Sequence, residues 1–319
     1  MKIGYKLSSE EFDPLDLVCF ASQAEDAGFD FAMISDHYHP WIGETGESPF
    51  VWSTIGGISQ VTENLPIITG VTCPTFRIHP AIIAHAAATA ASMLPERFIL
   101  GVGSGENLNE HVLGNDWPST PKRIDMLAEA IYIIKALWEG GEGLQDYEGF
   151  YYKVENAKIY TKPAELPPIY IAAEGEMAAT LAGNMGDGLI AQHDNEKAVE
   201  IFKNSGGEGK PCYAEATLCW DENKDEAIKT ALKYWPIKAN DVQINTDIPT
   251  TFHFERLAQL ATEDIISEEI VCSEDPQDHI NEIKKYAKAG YDHICLHQVG
   301  PNQHEFIELC RDEILQEFK

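Results

Sequence analysis

Phe98-Ile99-Leu100-Gly101-Val102-Gly103-Ser104-Gly105-Glu106 is the stretch on which the reading of the fold turns. An apolar run that dissolves into glycines reads as a buried strand running into a tight loop. The glycines invite a dinucleotide fingerprint, G-x-G-x-x-G, but Glu106 stands in the third glycine's place. Three comparable apolar runs precede this one, so it does not open a chain-leading βαβ pair. The stretch instead belongs to a series of strands at 3–5, 31–34, 67–72, 98–103, 169–172, 188–191, 213–219 and 293–299.

Amphipathic segments separate these runs. Residues 14–27 form a helix ended by Gly28, 79–93 an alanine-rich helix stopped before Pro95, and 276–289 another helix followed by Gly290. Across 122–138, Ile124, Leu127, Ala130, Ile131, Ile134 and Leu137 recur at the spacing of one buried helix face. Eight strand–helix units predict an α/β fold with a parallel sheet closed into a (β/α)8 TIM barrel; an open doubly wound sheet is the alternative. Two insertions interrupt the repeat: a Tyr-rich hairpin at 140–168 after the fourth strand, and a helical lid at 221–271 after the seventh. No linker composition divides the chain, so residues 1–319 read as one domain.

The charge, 52 Asp plus Glu against 23 Lys plus Arg for a net −29, excludes nucleic acid and anionic membranes as partners. It fits a high-salt, halophilic habitat or a self-repelling, solvated exterior. No apolar run reaches membrane-spanning length and no leader is visible at the start, so a cytoplasmic location is expected. The seven cysteines are odd in number and form no C-x-x-C pair, which argues for reduced thiols over a disulfide framework or zinc site.

In a barrel, chemistry collects beyond the C-terminal strand ends. There the sequence places Asp36-His37, a candidate acid–base unit, although Asp36 read alone is equally a turn cap. Trp41 offers a flat apolar wall to a planar ligand, or is plain core. His37-Tyr38-His39 also has metal-ligand form; a barrel hydrolase would need further ligands such as His193, Asp292 or His297, and none is clearly placed. Glu106 is either a solvated carboxylate or, shielded by a ring held close to Gly103 and Gly105, an acid with a raised pKa.

Ser35-Asp36-His37 with Pro40-Trp41, Pro74-Thr75-Phe76-Arg77 with Pro80-Ala81, Gly103–Glu106 with Leu108-Asn109-Glu110, and Trp117-Pro118 with Arg123 together resemble the luciferase-like superfamily, in its branch using the deazaflavin coenzyme F420. The resemblance spans nearly the whole chain. It implies a homodimeric barrel that transfers hydride between an alcohol or carbonyl substrate and the deazaflavin. It also implies His37 as base, Trp41 beside the reacting centre and Glu106 as proton donor. Asp36, Gly70, Val71, Cys73, Gly105, Asn109, Ala173 and Gly175 would border the cofactor, with a cis peptide at Gly70-Val71. Trp41, Trp235, Phe252 and Phe254 would line the substrate pocket. No metal is implied. Where sugar-phosphate enzymes of the branch grip phosphate with two Lys and one Arg, this chain aligns Asn195, Glu268 and a stretch near Ile244, which points away from sugar phosphates. A neighbouring branch uses FMN, often in monooxygenation, and is the alternative cofactor assignment.

Overall fold

The computed structural model describes Met1–Lys319. Its strands are β1 (Lys2–Leu7), β2 (Phe31–Ile34), β3 (Ile67–Thr69), β4 (Phe98–Val102), β5 (Gln145–Glu148), β6 (Lys153–Ala157), β7 (Ile169–Ala172), β8 (Gly188–Ala191), β9 (Cys212–Trp220), β10 (Val271–Ser273) and β11 (His293–Gln298). β1 pairs in parallel with both β2 and β11, and β9 with both β8 and β11. The order β1-β2-β3-β4-β7-β8-β9-β11 therefore closes on itself, giving the eight-stranded parallel barrel and ruling out the open sheet. β5 and β6 form the antiparallel hairpin after the fourth barrel strand.

Local chemistry sets the helix limits. Asp13 accepts from the Leu15 and Asp16 amides, Pro14 opens the helix Pro14–Ala27, and Gly28 closes it at φ 90°. The helix Thr120–Glu139 buries Ile124, Leu127, Ala130, Ile131, Ile134 and Leu137 against the barrel, as its spacing predicts. The alanines of Pro80–Met93 let that helix lie close to both the sheet and this neighbour.

Three details differ from the sequence reading. β3 ends at Thr69, short of the expected 72; the Gly70-Val71 bond that follows is cis, as the family resemblance implies, and pairing resumes only as a Thr72–Val102 bridge. β10 was not foreseen; three residues beside β9 are too short to carry a period. The expected lid resolves into helices Lys224–Tyr234, Val242–Asp247, Thr251–Ala258 and Glu263–Glu269, with a 3-10 turn at Pro236–Ala239.

Inside the barrel, Phe31, Met33, Ile68, Tyr170, Ile190, Tyr213 and Cys295 pack as an apolar floor. Gly4 is required there, since a Cβ would lie 2.3 Å from the Phe31 ring. Above the floor the lining turns polar. Lys6 reaches Glu215 at 2.6 Å, and His297 lies 2.8 Å from Glu11 and 3.4 Å from Glu215. Buried charges survive only when paired, and this chain of four supports the floor of the site.

Candidate active site

The loop after β2 swings His37 over the barrel mouth. Its Nδ1 lies 3.1 Å from the His39 carbonyl, a partner that fixes the proton on that nitrogen. Nε2 is left facing two carboxylates, Glu10 at 3.3 Å and Glu106 at 3.4 Å. Burial works to raise both acids, but their settings diverge. The His37 ring, Lys6 and the Ser35 hydroxyl bring Glu10 below its ordinary value. For Glu106, burial prevails over the pull of His37 and is aided by repulsion from Glu10 and Glu215, so its pKa rises. Two carboxyls pushed apart across one imidazole make an acid–base set.

The partner of His37 is thus Glu10 and Glu106, and the Asp36–His37 unit is not formed. Asp36 is fully enclosed, its oxygens held by the Thr72 hydroxyl and the Arg77 guanidinium at 2.8 Å each. Asn109 organises the same loop from below. Its Oδ1 accepts from the Tyr38 and His39 amides, and its Nδ2 donates to Glu106 at 3.3 Å. The His39 ring turns aside to the Leu108 carbonyl, so His37 and His39 do not converge. No group of three or more His, Cys, Asp or Glu gathers in a metal-holding arrangement.

Cys73 is buried behind the mouth with its thiol 2.9 Å from the Thr75 hydroxyl, and burial drives its pKa up. Gly105, at φ 84°, faces it so closely that a Cβ would stand 2.6 Å from the sulfur. Gly103 approaches Val71 in the same way, a Cβ there lying 2.7 Å from it. Together with the cis Gly70-Val71 bond these residues form one tight backbone wall. Across the mouth, Ala173 is buried and Gly175 opens the helix Glu176–Met185 with no side-chain cap and no atom within 4 Å of where its Cβ would stand. The amides of that first turn are free to meet an anion. The Glu174 carboxylate is turned to the Gln192 amide and His193.

Trp41 meets the His37 ring edge-on at 5.1 Å and Phe254 at 5.0 Å. Trp235, buried in the same cluster, meets His297 at 4.5 Å. Phe252 stands apart: it is 58% exposed and lies under Arg256, so it does not join the pocket wall. Asn195 caps the helix Glu196–Phe202, while Ile244 and Glu268 are exposed, so none of these positions brings a cation to the mouth.

Sequence reading missed Glu10, Lys6 and Glu215, and offered His297 only as a possible metal ligand. The signal was present, since Lys6 and Glu215 interrupt strands that should be apolar on both faces.

Residues 1–293 match the family model described as luciferase-like monooxygenase. The chain is 34% identical to an F420-dependent glucose-6-phosphate dehydrogenase of Microbacterium testaceum, over 99% of this chain and 96% of that protein. It is 33% identical to one of Amycolatopsis mediterranei, over 100% and 99%. Among solved structures, an F420-dependent secondary alcohol dehydrogenase in complex with an F420-acetone adduct superposes with a TM-score of 0.90 at 30% identity, covering 98% of this chain and 97% of that one.

Proposed function

The chain belongs to the luciferase-like monooxygenase family, and on that premise we propose that it is an F420-dependent oxidoreductase acting on an alcohol or its carbonyl. The observation that carries the proposal is the His37 ring set between Glu10 and Glu106, one acid tuned down and the other up. The mouth suits a planar anionic coenzyme: a backbone wall at Val71, Cys73, Gly103 and Gly105 on one side, and an uncapped helix start at Gly175 on the other.

Coenzyme F420, when bound, supplies the acceptor for the hydride leaving the carbinol carbon. His37 Nε2 takes the hydroxyl proton as the C–O bond becomes C=O, and ionised Glu10 stabilises the imidazolium that results. Glu106, whose pKa burial raises, is the carboxyl suited to give a proton to a basic atom at the mouth. Trp41, Phe254 and Trp235 exclude water and favour an uncharged carbon skeleton next to the reacting centre. Asn195, Ile244 and Glu268 supply no phosphate grip, so sugar phosphates are disfavoured.

We place the enzyme in a cytoplasm of high salt, which suits its net charge of −29. A homodimer would cover the apolar face carrying Ile82, Leu144 and Tyr160, which are 58%, 56% and 80% exposed. No helix is long and apolar enough to cross a membrane. The deciding experiment titrates purified protein with coenzyme F420 and with FMN by absorbance and fluorescence. Tight binding of F420 is expected, and tight binding of FMN alone would overturn the assignment.

A further inference from the structure

His37 can serve both acids only while its ring stays where Nε2 meets them, 3.3 Å from Glu10 and 3.4 Å from Glu106. Its own loop secures part of that position. Nδ1 is held by the His39 carbonyl, the His37 carbonyl accepts from the Ser48 hydroxyl, and Asn109 takes the next two amides. The aromatic neighbour of the ring is Trp41, 5.1 Å away with the planes at 60°. Trp41 takes its own support from the lid. It is 6% exposed and packs in a cluster with Trp235, Ile237, Phe254 and Ile266, all from the segment 221–271. Phe254 is fully buried and meets the indole edge-on at 5.0 Å and 80°.

The backbone beside Trp41 is held from the same helix, Thr251–Ala258. Residues 41–46 form no helix or strand, and one hydrogen bond ties them to another part of the chain: the Gly43 amide donates to Glu255 Oε1 at 3.2 Å. Two adjacent lid residues thus grip both the ring and the backbone next to the base. The lid also bears on the opposite loop. The Asp247 carbonyl accepts from Asn107, which follows Glu106, and Leu108 lies in the cluster that holds Trp41 and Phe254. Aromatic pairs favour edge-on or offset geometry, so a phenyl ring fixes the tilt of its neighbour where an aliphatic side chain would only fill space.

We propose that Phe254 is a positioning residue, backed by Glu255: acting through Trp41, it holds the His37 imidazole in line with Glu10 and Glu106, so that the closed lid completes the acid–base set as well as covering it. The inference rests on the proposed role of His37 as base. It separates Phe254 from a plain pocket wall. A side chain that only contacts substrate acts on KM, whereas one that aims the base acts on the chemical step, where a displacement of about 1 Å costs as much as ~10²-fold in rate.

The test is a double-mutant cycle in kcat with coenzyme F420 and propan-2-ol. Phe254→Leu should lower kcat by roughly 10- to 100-fold and leave KM within about twofold, with Glu255→Ala giving a smaller loss of the same kind. In a His37→Ala background both losses should vanish, because residues that act as a unit are not additive. A raised KM with kcat kept would make Phe254 a pocket wall and overturn the proposal. So would an equal loss of kcat in both backgrounds, which marks general damage to the lid. A second readout needs no turnover: the His37 Cε1–H signal in protein carrying isotope-labelled histidine, identified by its absence from His37→Ala in heteronuclear NMR. Phe254→Leu, or Glu255→Ala should the first variant fail to fold, should move that signal and its titration midpoint, and an unmoved signal would overturn the brace. If no alcohol passes hydride to F420, the functional reading falls and the His37 signal alone decides whether the lid aims the ring.

Discussion

His297 should make the stability of this protein fall with alkaline pH in a defined window. The ring is fully buried between Glu11 at 2.8 Å and Glu215 at 3.4 Å. Burial favours its neutral form, but hydrogen bonding and charge from these two carboxylates prevail and raise it from 6.5 to about 9. A group whose pKa is higher folded than unfolded stabilises the fold in full below the unfolded pKa. That stabilisation drains away as pH climbs through the folded one. The shift converts to about 3 kcal/mol, at 1.36 kcal/mol per unit. The contribution is therefore complete below pH 6.5, declines between 6.5 and about 9, and is absent beyond.

Urea unfolding at fixed high salt, read between pH 6 and 10 for wild type and His297→Gln, isolates this contribution from the many surface acids. The difference between the two proteins should shrink by about 3 kcal/mol across the window. Glutamine keeps a donor for one neighbour, and Glu11→Gln serves as a second route should the first variant fold poorly. A stability difference that is flat from pH 6 to 10 would refute the charged, carboxylate-clamped ring.

The other expectations are more direct. Replacing His37 by Ala or Glu106 by Gln should slow hydride transfer by ~10²–10⁴-fold with substrate binding largely kept, and unchanged turnover would reject their roles as base and acid. In the wild type, the oxidation rate should fall as pH rises through the elevated pKa of Glu106, and Glu106→Gln should abolish that limb. Asp247 fastens the lid, accepting from the Trp117 indole at 2.9 Å while its carbonyl takes the Asn107 amide. Asp247→Ala should loosen that closure, raising KM several-fold and shifting tryptophan emission; identical kinetics would show that the latch is idle. F420 affinity should strengthen with added KCl, because salt screens the repulsion between an acidic protein and a polyanionic ligand. A steady decline with salt would reveal a basic cradle instead.

The barrel was legible because each strand and helix announces itself locally. Apolar runs such as 188–191 are short and flanked by glycine, and Thr120–Glu139 displays a single buried stripe. β10 was not, since a three-residue ladder leaves no periodic trace, and the cis bond at Gly70-Val71 was expected from the family resemblance and not from any pattern in the residues. Within the site, loop motifs pointed to His37, Trp41 and Glu106, which the fold brings together. Their spacing in sequence could not show which carboxylate meets the imidazole. Glu10 lies 27 positions before His37 and Glu106 lies 69 after it, and only barrel closure makes them neighbours. Phe252 and Phe254 show the same limit in reverse. Two positions apart on a helix they face different ways, one to solvent and one to Trp41.

Net charge and site chemistry meet at the cations the protein keeps inside. A chain with more than twice as many acids as bases could not hold an ionised Glu10 beside Glu106 and Glu215 without interior compensation. Lys6 supplies it: drawn 2.6 Å from Glu215, it also helps hold Glu10 ionised, while Glu106 is left to respond to burial. The division of labour between the two acids flanking His37 is therefore set one layer below them, in β1 and β9, where an apolar barrel would have no charge at all. Replacing Lys6 by Met should consequently raise the Glu10 pKa and bring the two acids closer together, flattening the pH profile of turnover without touching any residue that meets the substrate. A profile that keeps its shape would place the tuning of Glu10 in His37 and Ser35 alone.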